Sequence, residues 1–146
     1  MIDLEEILSK MNPNQKINYD RVMQQMAKRW AQEEVRPKIL VHVCCAPCST
    51  YTLEYLTQYA DLTVYFANSN IHPKDEYLRR AYVVQKFISD FNEKTGNNVD
   101  FIEAPYDPSE YFQKVHGLED EPEGGERCTV CFDYRLDKAA KMAVEL

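Results

Sequence analysis

The sequence predicts a three-layer α/β fold in which a parallel sheet carries helices on both faces. Two observations favour this class. Continuous apolar stretches typical of buried parallel strands alternate with stretches of helical periodicity, and each segment between two strands is long enough for a helical crossover. A chain of 146 residues has the size of one domain, so the alternation describes a single small sheet.

The first 36 residues form a predicted helical extension. Residues 1–10 are a candidate short helix, which ends at the breaker-rich sequence M-N-P-N. A second helix begins at Asn18 or Asp20, since either side chain is a suitable N-cap. Apolar residues then recur at every fourth position from Val22 to Trp30, as on one face of a helix.

Strands and helices alternate from residue 38 onward. Residues 38–43 are nearly continuous in apolar side chains, which predicts a strand buried on both faces. A helix at 49–60 and a strand at 62–67 follow. A long helix at 73–94 carries apolar residues at helical spacing, and Gly96 ends it.

The last part of the sequence adds three elements. A third strand covers 99–104, and a short helix at 107–115 opens with the start signal D-P-S-E. An acidic, glycine-containing loop at 117–125 leads into a final helix. The chain therefore divides into the helical extension, 1–36, and one α/β domain, 37–146.

Composition excludes several classes of protein. A net charge of −7 argues against sequence-independent binding of nucleic acid, because such binding depends on neutralising phosphates. The longest apolar run is too short to span a bilayer, and the acidic N-terminus lacks the features of a signal peptide. We expect a cytoplasmic protein with no membrane partner, whose thiols stay reduced.

Five cysteines dominate the candidate chemistry. Cys44, Cys45 and Cys48 follow the first strand, and ligands bind at the carboxyl ends of strands in open parallel sheets. Cys128 and Cys131 lie near the start of the last helix, at a spacing that puts both sulfurs on one helical face. Because a helix N-terminus favours thiolates, both groups suit a single soft-metal site.

Three chemistries fit these cysteines, and the residues alone leave all three open. A structural zinc site needs four ligands, but its two pairs usually lie closer in sequence. A thioredoxin-like dithiol at Cys45 and Cys48 leaves the other three cysteines unexplained. An iron–sulfur cluster accounts for the set best, because thiolates are its usual ligands.

Three long motifs carry a family resemblance. The stretches H-V-C-C-A-P-C-S, N-S-N-I-H-P-K-D-E-Y-L-R-R and G-L-E-D-E-P-E-G-G-E-R-C-T-V-C-F-D-Y-R-L resemble the QueH-type epoxyqueuosine reductases. The resemblance covers most of the chain. It implies a fold similar to the PP-loop nucleotide hydrolases, a Rossmann-like class also called HUP. Family members continue past the last helix, so we expect this chain to lack the family's C-terminal part.

The resemblance also implies an activity and its cofactors. The family completes queuosine synthesis on tRNA by removing the epoxide oxygen of the modified wobble base, which leaves an alkene. The reaction consumes two electrons, from an external donor, and two protons. The implied cofactors are a 4Fe–4S cluster and an adjacent single iron, without cobalamin. A zinc-stabilised binding module and a dithiol oxidoreductase using Cys45 and Cys48 are the alternative functions.

Site residues follow from matching positions. The predicted metal ligands are Cys44, Cys45, Cys48, Cys128 and Cys131, and some members carry Asp where this chain has Cys48. Within this set, Cys45 and Cys48 are also predicted to be catalytic.

The remaining candidates are not cysteines. His42 alternates with Cys44 along the first strand, which makes it a candidate proton donor or a core histidine. We expect His72, Arg79 and Arg135 to bind substrate, against the alternative that the arginines are plain surface charges. Tyr51 and Tyr106 are the candidates for base stacking.

Overall fold

The computed structural model describes residues 4–14 and 16–146. The first three residues of the predicted helix at 1–10 lie outside this range. The elements in chain order are α1 (Leu4–Ser9), α2 (Tyr19–Gln32), β1 (Lys38–His42), α3 (Ala46–Leu56), β2 (Asp61–Phe66), α4 (Lys74–Thr95), β3 (Asp100–Glu103), α5 (Pro108–Lys114) and α6 (Glu126–Glu145).

The three strands form one parallel sheet in the order β1-β2-β3. Leu40 lies opposite Thr63, and Val64 lies opposite Phe101. Parallel strands joined by helical crossovers confirm the predicted α/β class and are consistent with a Rossmann-like fold. The likeness to PP-loop hydrolases stays a prediction.

The two faces of the sheet are covered by different helices. The main core lies between the sheet and α3 and α4, where buried side chains such as Leu53, Val64 and Val84 pack together. On the opposite face, Tyr65 packs with Ala139 and Met142 of α6. Successive side chains of a strand alternate between faces, so the predicted three-layer arrangement is confirmed.

The strand β1 is less buried than predicted. Its residues from Ile39 to His42 are only half-buried, whereas the sequence predicts burial on both faces. The cause is topological, because β1 pairs with β2 alone and lies at an edge of the sheet. The central strand β2 contains the fully buried Val64 and Phe66.

The helices α1 and α2 pack against each other through Ile7, Val22 and Trp30. The Asn18 side chain accepts a hydrogen bond from the backbone N–H of Arg21, which confirms Asn18 as the N-cap. The cluster also contacts Ile39 of β1. The division of the chain at residue 36 stays a prediction. Among the described residues, no helix combines the length and apolarity that crossing a membrane requires.

The helix α3 begins at Ala46, so the predicted start at residue 49 was wrong. The sulfur of Cys45 accepts the backbone N–H of Cys48 at 3.3 Å and acts as the N-cap. Pro47 occupies the first turn, where a helix has no partner for the missing N–H. The sequence analysis places the cysteines at the end of the first strand, so its helix begins one turn late.

The guanidinium of Arg36 binds the C-terminal end of α3. It donates hydrogen bonds to the carbonyl oxygens of Thr57 and Ala60, at 2.6 and 2.9 Å, and it pairs with Asp61 at 2.7 Å. Helix ends leave their last carbonyl groups without intrahelical partners. Arg36 therefore supplies these partners and fixes the end of α3 to the start of β2.

We expect Arg36→Ala to lower the free energy of unfolding by about 2 kcal/mol, because several charge-assisted hydrogen bonds are lost. Urea unfolding, with midpoint and slope compared, measures the effect. The matched control is Lys86→Ala, which removes an exposed pair with Asp90 and should cost at most about 0.5 kcal/mol. Equal destabilisation by the two substitutions would contradict this role for Arg36.

Candidate metal centre and adjoining cavity

Three cysteine sulfurs cluster where β1 passes into α3. The Sγ atoms of Cys44, Cys45 and Cys48 all lie within 4.8 Å of one another. Cys44 and Cys45 are half-buried, and Cys48 is exposed. The three sulfurs lie in and just before the first turn of α3, so the positive end of the helix dipole favours their thiolate forms.

Side chains from β1 and the end of β2 fix this turn. The buried Asn68 donates from Nδ2 to the carbonyl oxygen of Val43 at 2.8 Å, one residue before the first cysteine. His42 donates from Nε2 to the carbonyl oxygen of Ala67 at 3.0 Å, since a carbonyl can only accept. These two bonds tie the ends of the strands together beyond their last paired residues.

The hydrogen bond gives His42 a structural role. Burial lowers the pKa of His42 and the charge of Arg135 acts in the same direction, whereas the bond to the Ala67 carbonyl opposes them. A direct role of His42 in catalysis stays a prediction.

The structure joins Cys45 and Cys48 by a disulfide. A cysteine binds metal as a thiolate, so both residues must be reduced before they act as ligands. The reduced set offers three thiolates on one short segment. Such a set is the donor type of iron–sulfur clusters and also of zinc, so the residues present fit a soft metal.

The second pair of cysteines lies at the start of α6. The Sγ atom of Cys128 accepts the backbone N–H of Gly124 at 3.3 Å, and Gly124 adopts a positive φ of 82°, which suits glycine. Cys131 is buried against Tyr111. Burial and the neighbouring Cys131 raise the pKa of Tyr111 to about 12.

The helix α6 brings this pair toward the carboxyl end of β1. Ala143, in the last turn of α6, borders a cavity with Lys38 at the start of β1, whereas Arg135 acts electrostatically on His42 at the end of β1. The helix thus runs antiparallel to the strand. Cys131 precedes Arg135 by about one turn, so it lies at the same edge of the sheet as the three clustered sulfurs.

The two cysteine groups are nevertheless distinct in position. Among the described residues, the set of sulfurs within 4.8 Å contains Cys44, Cys45 and Cys48 but neither Cys128 nor Cys131. That all five bind one inorganic centre stays a prediction.

A cavity of about 480 Å³ adjoins the second pair. Segments after β2, in and after α5, and at the start of α6 supply its lining: Asn70, His72, Tyr111, Phe112, Val115, His116, Glu119, Arg127, Cys128, Cys131, Phe132 and Arg135. Two of the predicted substrate-binding residues, His72 and Arg135, are therefore brought together here.

The other candidates from the sequence lie elsewhere. Arg79 is on the exposed face of α4, where it pairs with Glu76 at 2.7 Å. Tyr51 is exposed on α3. Tyr106 stacks on Tyr77 with 4.1 Å between ring centroids, which occupies one face of its ring. None of these side chains lines the cavity.

Sequence reasoning missed Phe112 and Phe132. Both line the cavity and both are more than half exposed, at 54% and 56%. Phe112 stacks on His72 with 4.5 Å between ring centroids and 12° between ring planes. The sequence pointed to Phe132 in part, because this residue directly follows Cys131. No local pattern connects Phe112 with the cysteines.

Several known proteins match the chain. A family model described as Epoxyqueuosine reductase QueH matches residues 39–146. A Streptococcus pyogenes serotype M1 protein named Epoxyqueuosine reductase QueH is 77% identical over 146 residues, which cover 100% of this chain and 57% of that protein. The protein of that name from Staphylococcus aureus strain Mu50 is 63% identical over 147 residues, covering 99% of this chain and 61% of the relative.

A more distant relative with the same name, from Haemophilus influenzae, is 45% identical over 107 residues, covering 73% of this chain and 41% of that protein. The chain thus spans about three fifths or less of the length of these relatives. The matches bear out the resemblance carried by the cysteine motifs, and the chain belongs to the epoxyqueuosine reductase QueH family.

Proposed function

We propose that this chain forms part of an epoxyqueuosine reductase, which removes the epoxide oxygen of the modified wobble base of tRNA. The observation that carries the proposal is the cluster of Cys44, Cys45 and Cys48 sulfurs within 4.8 Å of one another. It lies at the carboxyl edge of the sheet, where α/β folds bind their ligands. Membership of the QueH family supports the same reaction.

The proposed cofactors are a 4Fe–4S cluster and a further single iron, with no cobalamin. The proposed ligands are Cys44, Cys45, Cys48, Cys128 and Cys131, whose thiolates suit iron. When bound, the cluster would pass electrons one at a time from the external donor, and the single iron would supply the Lewis acidity that opening an epoxide requires.

The chain's own residues position this chemistry. Asn68 holds the Val43 carbonyl and with it the turn that carries the first three sulfurs. His72 and Arg135 bind the substrate in the adjoining cavity, and Arg79 contributes positive charge on α4. His42 is the proposed proton-transfer group from β1, together with Cys45 and Cys48 as catalytic thiols.

The partners follow from the reaction. We propose a tRNA that carries epoxyqueuosine as substrate, and an external reductant as electron donor. The cytoplasm, where thiols stay reduced, is the expected compartment. The proposed domain organisation is a helical extension, 1–36, followed by an α/β metal-binding catalytic domain, 37–146.

The disulfide between Cys45 and Cys48 favours a second candidate. A C-x-x-C pair between a strand and the N-terminus of a helix suits dithiol oxidoreductase chemistry. In that function the two thiolates would reduce a substrate disulfide and end as the bond between Cys45 and Cys48. The remaining three cysteines would then have no chemical role.

Metal analysis separates iron from zinc. We expect the chain purified without oxygen to be coloured and to contain iron and acid-labile sulfide, because thiolates are the usual ligands of sulfide-bridged iron. Elemental analysis and the visible absorption spectrum provide the measurement. A colourless protein with one zinc per chain and no sulfide would instead support a structural zinc site.

Cysteine substitutions separate the cluster from the dithiol. We expect both Cys45→Ser and Cys128→Ser to lose most of the bound iron and the epoxide-reducing activity, because each removes a ligand. The assay follows conversion of epoxyqueuosine in modified tRNA by mass spectrometry, with this chain and with a C-terminally extended version. Thr129→Ser, next to Cys128 on α6, is the matched control and should retain both properties. Activity that survives Cys128→Ser but not Cys45→Ser would support the dithiol instead.

A further inference from the structure

The cavity beside Cys128 and Cys131 is lined in large part by aromatic side chains. Five aromatic rings border it, those of His72, Tyr111, Phe112, His116 and Phe132. Large apolar rings gain free energy when they leave water, yet more than half of the surface of Phe112 and of Phe132 is exposed. Their exposed surfaces are therefore available to a ligand.

Each exposed ring is held in place by a neighbour. Phe112 stacks on the His72 imidazole, with 12° between the ring planes. Phe132 lies against the guanidinium of Arg135, whose central carbon is 5.1 Å from the ring centroid. Both rings are thus oriented before any ligand arrives, which reduces the entropy lost on binding.

Two arginines, Arg127 and Arg135, outnumber the single carboxylate in the cavity lining, that of Glu119. Arg127 donates to the carbonyl oxygen of Glu119 at 2.9 Å, and Arg135 donates to the carbonyl oxygen of Cys131 at 3.4 Å. Neither forms an ion pair with a carboxylate in the part of the chain that the structure describes. The cavity lining therefore has a positive balance in a protein whose net charge is −7.

We propose that the cavity binds one flipped-out nucleotide, with its base stacked on Phe112 and Phe132 and its phosphate at Arg127 and Arg135. Aromatic rings bind the faces of unpaired bases, and arginine forks bind phosphate. The inference rests on the proposed function, because it identifies the nucleotide as the wobble nucleotide of the tRNA substrate. It adds the residues that hold that base beside Cys128 and Cys131.

Fluorescence tests the stacking directly. The probe is an RNA stem–loop with 2-aminopurine at the first anticodon position, and the protein is the metal-containing chain. We expect the wild-type chain to quench the probe, and Phe112→Leu and Phe132→Leu to weaken binding about tenfold and to reduce the quench. Leucine keeps the apolar bulk but removes the aromatic face. Tyr82→Leu, at a ring on α4 that is 66% exposed, is the matched control.

The phosphate contact is tested by salt dependence. Arg127→Gln should weaken binding and lower the slope of log affinity against log salt by about 0.7, as expected when one phosphate contact to a single strand is lost. Circular dichroism establishes that each variant is folded. The stacking would be overturned if Phe112→Leu and Phe132→Leu bound the probe as tightly as Tyr82→Leu and quenched it equally. The phosphate contact would be overturned if Arg127→Gln left the salt slope unchanged.

Epoxide reduction measured on the same variants separates this inference from the proposed function. One outcome is that the wild-type chain quenches the probe, while neither this chain nor its C-terminally extended version reduces the epoxide. That outcome would support the binding site and reject the reductase. Epoxide reduction that is as fast in Phe112→Leu and Phe132→Leu as in the Tyr82→Leu control would support the reductase and reject the binding site.

Discussion

The turn between β1 and α3 is the constraint on which the candidate site depends. Pro47 in the first turn of α3 removes a backbone donor, and the Cys45 sulfur accepts the N–H of Cys48. The buried Asn68 holds the preceding Val43 carbonyl. Three sulfurs are thereby kept close together at the positive end of a helix, which offsets the electrostatic cost of gathering thiolates.

The packing of α6 against β1 brings the second pair of cysteines to the same edge of the sheet. Because α6 runs antiparallel to β1, its N-terminus, with Cys128 and Cys131, lies at the edge of the sheet where β1 ends. Two helix N-termini, those of α3 and α6, therefore contribute positive partial charge to one edge of an acidic protein. This arrangement suits the anionic ligand set of an iron–sulfur centre.

The cavity next to Cys131 connects the candidate metal ligands with the proposed substrate. Tyr111 contacts Cys131 from one side, while Phe112, its neighbour in α5, stacks on His72. A short helix thus carries one residue that faces a candidate ligand and another that presents an exposed ring. The proposed metal chemistry and the proposed base-binding site are connected through adjacent residues of α5, so a base in the cavity would lie close to the sulfurs of α6.

The sequence by itself determined the alternation of strands and helices, the helix end at Gly96 and the family, and it narrowed the N-cap of α2 to Asn18 or Asp20, because these depend on neighbouring residues or on long motifs. It also identified the five cysteines as candidate ligands. Only the tertiary structure decided that Cys45 caps α3, that β1 is an edge strand, and that Phe112 and Phe132 rather than Tyr51 and Tyr106 line the cavity. The cap is a local contact, but a cysteine is not among the side chains that usually signal an N-cap. The edge position of β1 and the cavity lining depend on contacts between segments far apart in the chain, and no local pattern of residues encodes such distances.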